Sequence, residues 1–293
     1  MEQDYLIATA STCDLTKEYL EEHNIPFIRY SYTMEDKIYY DDCSEETRNE
    51  VYKKMRNGTI LTTSAINTYA YKDFFEDLIN KHQKNIIFLD MSKAMSASHK
   101  FAEEAIEQLK TTYPKIEIVY VDTCCVSGGL GVLVMNVVKN FEAGMEYADM
   151  LKWIEDNKFH IAHRFTVDDL SYLKRGGRVS NSAALVGTLL NIKPVLYVPN
   201  EGTLVVSTKV RGRKKALNTI IDSIKEEMGR PDGMEFLINH ADCLEDCEYV
   251  KNKLLETYPS IKSVSIQGLG VVIGAHCGPG LLAIFYMTKE RTP

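Results

Sequence analysis

Three stretches in the first half of the chain each set a short apolar run directly before a polar turn and an amphipathic helix. YLIATA (Tyr5–Ala10) leads into STCDLTKEYLEEH, and NIIFLD (Asn85–Asp90) into MSKAMSAS and a helix. In that helix Ala102, Ala105, Ile106 and Leu109 keep the i, i+3, i+4, i+7 rhythm of one buried face. IEIVYVD (residues 116–122) leads into TCCVSGG and the apolar LGVLVMNVVKNF. Repeated strand–turn–helix units predict a parallel sheet covered by helices on both faces, a three-layer α/β/α domain. Ligands on such sheets lie beyond the carboxyl ends of the strands, where these turns fall.

The pattern then changes. A helix carrying Met150, Leu151 and Ile154 runs into strand-like FHIAHRFTV, and IKPVLYVPNEGTLVVSTKV reads as two antiparallel strands turning at Pro199, Asn200 and Gly202. A helix over about 214–228, the strand MEFLINH, a further helix, and the strands SVSIQG and LLAIFYM follow. This half predicts a mixed sheet with helices on one face, a two-layer α/β domain. A chain of 293 residues exceeds what one core usually spans, so two domains are expected, 1–157 and 158–293, with a ligand between them.

A net charge of −7 excludes a general nucleic-acid binder, which needs a surplus of Lys and Arg against phosphate. The seven cysteines are odd in number, no apolar leader opens the chain, and no run reaches the ~20 residues of a membrane span. Reduced thiols, a cytoplasmic location and no stable membrane insertion are therefore expected. His240, Cys243 and Cys247 lie close together, but three ligands fall short of a four-ligand zinc site, and Cys243 and Cys247 stand at helical packing distance. They read as packing, and no metal is expected. SGGLGVLV has Val134 where a dinucleotide turn needs its third glycine, so it reads as close helix–sheet packing.

Four groups of polar residues remain. Thr62, Thr63 and Ser64 precede a helix with the apolar face Tyr71, Phe74, Phe75, Leu78 and Ile79, and Ser96 and Ser98 precede the next helix. They can cap free N–H groups, or two such helix starts on neighbouring strands can converge on one anion. His276 stands at a Cys-Gly-Pro-Gly turn ahead of an apolar strand. It can donate to a carboxylate or, paired with Ser96, serve a hydrolase, although no G-x-S-x-G elbow surrounds any serine. Lys174, Arg175 and Arg178 surround the pair Gly176-Gly177, with an apolar stretch close behind. KVRGRKK holds Lys209, Arg211, Arg213, Lys214 and Lys215 at a helix start, where cations oppose the helix dipole. That cluster suits docking of an acidic partner.

The string LSYLKRGGRVSNSAALVGTLLNIKPVLYVPNEGTLVVSTKVRGRKKAL closely resembles the DegV family of bacterial fatty-acid-binding proteins. The early TSA, SKAMSAS after NIIFLD, the Asp-Thr turn at Asp122 and the closing GAHCGPG extend the resemblance over essentially the whole chain. It implies two α/β domains enclosing one long-chain fatty acid, its carboxylate held deep inside and its tail in a tunnel, and presentation of that acid to the catalytic subunit of a fatty acid kinase, with no catalysis by this chain. By position it implies that Thr63 and Ser96 bind the carboxylate, that His276 and Arg178 belong to the head-group region, and that Arg211 and Arg213 dock the kinase. The family's Ser-Gly-Thr-Tyr stands here as Ser96-Ala97-Ser98-His99, and its Thr-Ser-Gln as Thr63-Ser64-Ala65. The rival readings are a Ser96/His276 acyl hydrolase and a lipid sensor without a kinase.

Overall fold

The computed structural model describes residues 3–168, 170–179, 191–228 and 233–291. The apolar stretch behind Arg178 (residues 180–190) lies outside them. In chain order the strands are β1 (Tyr5–Ala10), β2 (Phe27–Ile28), β3 (Ser31–Met34), β4 (Lys37–Tyr40), β5 (Thr62–Ser64), β6 (Asn85–Asp90) and β7 (Ile118–Asp122). They continue with β8 (Ile161–Thr166), β9 (Ile192–Tyr197), β10 (Val205–Arg211), β11 (Glu235–His240), β12 (Ser263–Gly268) and β13 (Leu282–Met287).

The first sheet is wholly parallel in the order β2-β1-β6-β7, with Ile7 opposite Ile87 and Leu89 opposite Val121. Its central strands are buried on both faces, which is why they read as continuous apolar runs rather than as alternation. The second sheet is mixed, in the order β10-β9-β8-β13-β11-β12, and only β11 and β12 run parallel. The expected hairpin is β9–β10, closed by Gly202 N–H donating to Pro199 O at 2.9 Å. The chain passes from one sheet to the other between the helix Tyr147–Asn157 and β8.

A small antiparallel sheet, β4-β3-β5, was not expected. It corrects the placement of Thr62, Thr63 and Ser64, which form β5 and cap nothing. The helix Thr68–His82 is capped instead by Asn67, whose side chain accepts from Ala70 N–H at 2.9 Å. The two hydroxyl groups therefore arrive from different sheets, not from neighbouring strands of one.

The helix Gly128–Glu142 is the keel between the lobes. It packs against β8 and β13 on one side and the turn after β1 on the other, so it is apolar almost all round. A Cβ on Gly129 would lie 2.0 Å from His163 Nε2, so only glycine lets helix and strand come this close. The packing reading of SGGLGVLV thus agrees with the contacts. One apolar cluster runs from the parallel sheet across this helix to Leu237, Ala283 and Phe285 on the inner face of the mixed sheet. A second fills that sheet's outer face under the helices Arg213–Met228 and Leu244–Thr257.

Candidate functional site

Beyond the carboxyl ends of β6 and β7, the turns of the parallel sheet meet the inner face of the mixed sheet around a cavity. It encloses about 950 Å³ of space free of atoms, its open mouth included. Most of the wall is apolar: Val126, Phe165, Leu204, Val272, Leu281 and Phe285 come from both lobes. Thr63, Ser96, Arg178 and His276 all line this one cavity, although they lie far apart in sequence.

β5 presents Thr63, paired across the small sheet with Tyr32. Its Oγ1 lies 2.8 Å from His276 Nε2. His276 is in the short helix Val271–Cys277, which ends at the Gly-Pro-Gly turn into β13. Burial, and then the nearby Arg178 charge, push the His276 pKa down to about 4, so the ring is neutral at neutral pH. With Nε2 engaged by Thr63, the imidazole orients the threonine hydroxyl.

The Gly176-Gly177 pair has a steric reason. A Cβ on Gly176 would lie 2.2 Å from His276 Nδ1, and Gly177 turns with φ +70°. The turn delivers Arg178, whose Nε and Nη2 donate to Met95 O at 3.2 and 3.0 Å and whose Nη1 donates to Gly176 O. Among the described residues Arg178 meets only these carbonyls and no carboxylate, and desolvation lowers its pKa. The site therefore holds a fixed cation without a protein anion. Lys174 and Arg175 are exposed, and Arg175 lies over the Tyr172 ring at 4.5 Å.

Ser96 belongs to a hydroxyl chain. Its Oγ donates to Ser98 Oγ at 3.1 Å and accepts from Ser98 N–H at 3.2 Å. Ser98 Oγ in turn accepts from Ile66 N–H at 3.1 Å, tying this turn to the segment after β5. Behind Ser96 stands Tyr30, with its OH 3.5 Å from Ser96 Oγ. Asp90 Oδ2 accepts from Tyr71, Tyr120 and Tyr30 hydroxyls at 3.1, 3.3 and 3.4 Å. Burial pushes the Asp90 carboxyl up to about 6, against the pull of Met91 N–H and these hydroxyls. Sequence reading missed Tyr30 and Asp90. Tyr30 carried no motif, but the position of Asp90 at the end of a parallel strand was a usable signal.

Neither the Ser96 hydroxyl nor that of Ser127, which also lines the cavity, is hydrogen bonded to a histidine; His99 Nδ1 meets only the Ser96 carbonyl, at 2.9 Å. His276 Nε2 is engaged by Thr63, and His163 Nε2 accepts from Val126 N–H at 3.3 Å. The geometry therefore gives the Ser96/His276 hydrolase no nucleophile–base pair.

The mouth opens into a second groove that shares Met95, Ser96, Ala97, Arg178 and Leu204 with the cavity. Lys93, His99, Lys100 and Lys209 line its outer part. Arg211, at the end of β10, is exposed. Arg213 is not free at the surface: its Nε is 2.8 Å from Asp246 Oδ2 and its Nη2 donates to Cys243 Sγ at 3.6 Å. That pairing offsets the unfavourable cation at a helix start. Among the described residues no helix is long and apolar enough to cross a membrane.

Known proteins resemble this chain from end to end. The model of the uncharacterised DegV family matches residues 5–289. A DegV domain-containing protein of Clostridium perfringens is 35% identical over 290 residues, covering 99% of each chain. A DegV lipid-binding protein from Thermotoga maritima superposes with a TM-score of 0.87 at 26% identity, over 99% of this chain and 100% of that one. A fatty-acid-binding DegV family protein from Thermus thermophilus gives 0.86 at 25% identity, over 98% and 100%. A two-lobed α/β fold, a family match spanning nearly every residue and a close full-length relative lead to one assignment: this chain belongs to the DegV family.

Proposed function

We propose that this protein binds a long-chain fatty acid in the cavity between its sheets and presents the carboxylate to a separate kinase subunit for conversion to an acyl phosphate. The observation that carries the reading is the arrangement of the cavity: a mostly apolar lining that holds the Thr63 and Ser96 hydroxyls and Arg178, which no carboxylate pairs among the described residues. A carboxylate among Thr63, Ser96 and Arg178 keeps its hydrogen bonds, each worth roughly 1.5–3 kcal/mol to a charged acceptor. The tail gains about 0.8 kcal/mol per buried CH₂, so a sixteen-carbon chain gains on the order of 10 kcal/mol before ordering costs. Orientation comes from the head group and affinity from the tail. Solved relatives from Thermotoga maritima and Thermus thermophilus, described as lipid-binding and fatty-acid-binding, support the choice of ligand.

Presentation requires the head group to be reachable, and the basic groove at the mouth supports that requirement. The exposed Arg211 is assigned to the docking surface, with Arg213 beside it, held by Asp246. No cofactor is needed for binding.

Mass spectrometry of the purified protein after mild denaturation tests the first half; the absence of stoichiometric acid, with no uptake of added acid, refutes it. Reconstitution with a candidate kinase subunit tests the second, since acyl phosphate forms only if the protein is more than a sensor. Ser96→Ala is expected to weaken acid binding by roughly 1–3 kcal/mol, through a carboxylate oxygen left without its donor. An unchanged dissociation constant removes Ser96 from the site. Arg211→Glu is expected to slow kinase turnover and leave lipid uptake intact, read by acyl-phosphate assay and by ligand titration. Equal loss of both contradicts the docking role.

A further inference from the structure

We propose that His240, Cys243 and Cys247 form a site for a thiophilic cation, Zn²⁺ in the first instance, outside the lipid cavity. One ligand atom from each lies within 4.8 Å of the other two. None of the three residues lines the cavity, so the cluster has no part in holding the acid.

The local fold brings them together. β11 ends at His240, Asp242 turns the chain with φ 54°, and Cys243 sits at the N-cap position of the helix Leu244–Thr257. Cys247 follows one turn later, its N–H donating to Cys243 O at 3.3 Å, and this i, i+4 relation stacks the two sulfurs on one face. The same spacing that reads as packing in a bare sequence becomes ligand spacing once His240 returns to that face.

The donor set selects the ion. Two thiolates and an imidazole suit borderline and soft cations and disfavour Mg²⁺ or Ca²⁺, which take oxygen ligands. Tetrahedral zinc, with bonds of about 2.3 Å to sulfur and 2.0–2.1 Å to nitrogen, separates its ligand atoms by roughly 3.5–3.8 Å. The three atoms therefore need to close by no more than about 1.3 Å, within reach of side-chain rotation. Cys247 is buried, while His240 and Cys243 are half-buried, leaving a side from which the ion enters and a solvent molecule completes the shell.

The surroundings suit thiolates. Arg213 Nη2 points at Cys243 Sγ from 3.6 Å, and Asp246 fixes that guanidinium. In the free protein the Cys243 thiol donates to Leu281 O at 3.0 Å. Coordination replaces that proton, and the one on Cys247, with the cation, and both protons pass to solvent.

The test uses the full chain, reduced and stripped of metal with a chelator, then titrated with Co²⁺. A sulfur-to-cobalt charge-transfer absorbance is expected, saturating at one cation per chain and displaced by Zn²⁺. Cys243→Ser and Cys247→Ser abolish it, His240→Ala weakens it, and Cys124→Ser, a cysteine elsewhere, leaves it intact. Arg213→Gln lowers the affinity by roughly 10–100-fold, the usual effect of losing a group that holds a ligand from behind. Bound fatty acid stays unchanged in the half-buried Cys243→Ser variant, which separates loss of the metal from loss of the fold. A reduced wild-type protein without the absorbance overturns the site, as does an absorbance that survives Cys243→Ser.

Discussion

Arg48→Ala is expected to destabilise the protein by about 3–5 kcal/mol, the usual result of removing one partner from a buried ionic cluster. Arg48 is 1% exposed and fills the seam between the two lobes. Its Nη1 donates to Gly268 O at 2.8 Å, at the end of β12, and its Nη2 donates to Leu15 O at 2.9 Å, in the turn after β1. One guanidinium thus ties the mixed sheet to the parallel sheet. The same charge stands beside the fully buried Asp14 and Asp41, both of which its field pulls toward ionisation. Truncation removes the cation, leaves the two carboxyls without its field and strips three carbonyls, those of Gly268, Leu15 and Asp14, of their donor. Urea denaturation followed by circular dichroism measures the loss. Because Ser127, which donates to Asp14, and Leu269, next to Gly268, line the cavity, the proposed fatty-acid ligand is expected to leave the variant at lower urea than it unfolds. An unfolding free energy within about 1 kcal/mol of wild type would mean that solvent takes the place of the guanidinium.

Arg48 also shows where the sequence stops being informative. The parallel sheet was legible because its strands are buried on both faces and leave uninterrupted apolar runs, as in NIIFLD and YLIATA. The hairpin β9–β10 was legible because Pro199 and Gly202 mark its turn. The small sheet β4-β3-β5 was not. Its strands have three or four residues, too few for a period to emerge, and β4 exposes Ile38 and Tyr40 at an edge. Thr63 lines the cavity but reads in the sequence as part of a helix start, since hydroxyls before a helix look like caps until Asn67 is seen in that role. Gly176 reads as a turn residue in any sequence. Its closeness to His276, the contact that makes glycine obligatory, spans a hundred residues and leaves no local trace. Asp14, Asp41, Arg48 and Asp90 are buried charges, which look like surface residues in a linear chain because their partners come from distant segments.

Asp14→Asn is expected to leave stability nearly unchanged at pH 4 and to raise it progressively up to about pH 7. Burial pushes the Asp14 carboxyl up to about 7, although Arg48 and the Ser127 hydroxyl, which donates to Oδ2 at 2.6 Å, oppose that shift. The unfolded chain ionises the same group near ~4. Below pH ~4 both states are protonated and Asp14 carries no penalty. Between ~4 and 7 the folded state holds a proton that the unfolded state has released, so the wild-type contribution falls as pH rises. Three units correspond to a difference on the order of 4 kcal/mol, reached above pH 7. Asparagine keeps the acceptor for Ser127, tolerates the left-handed backbone at this position (φ 54°) and carries no charge to desolvate. It also places an N–H₂ group near Asp41 Oδ2, which has no hydrogen-bond partner among the described residues. Several histidines titrate with the opposite sign: burial lowers His276 and His163, so their contributions are lost as pH falls. For that reason the wild-type profile alone is uninformative, and the quantity to measure is the stability of Asp14→Asn minus that of wild type, by urea denaturation at pH 4, 5.5, 7 and 8. A difference that climbs over this range and then levels off identifies a buried carboxyl forced to ionise between the lobes. A flat difference means that Arg48 already holds Asp14 ionised across the range.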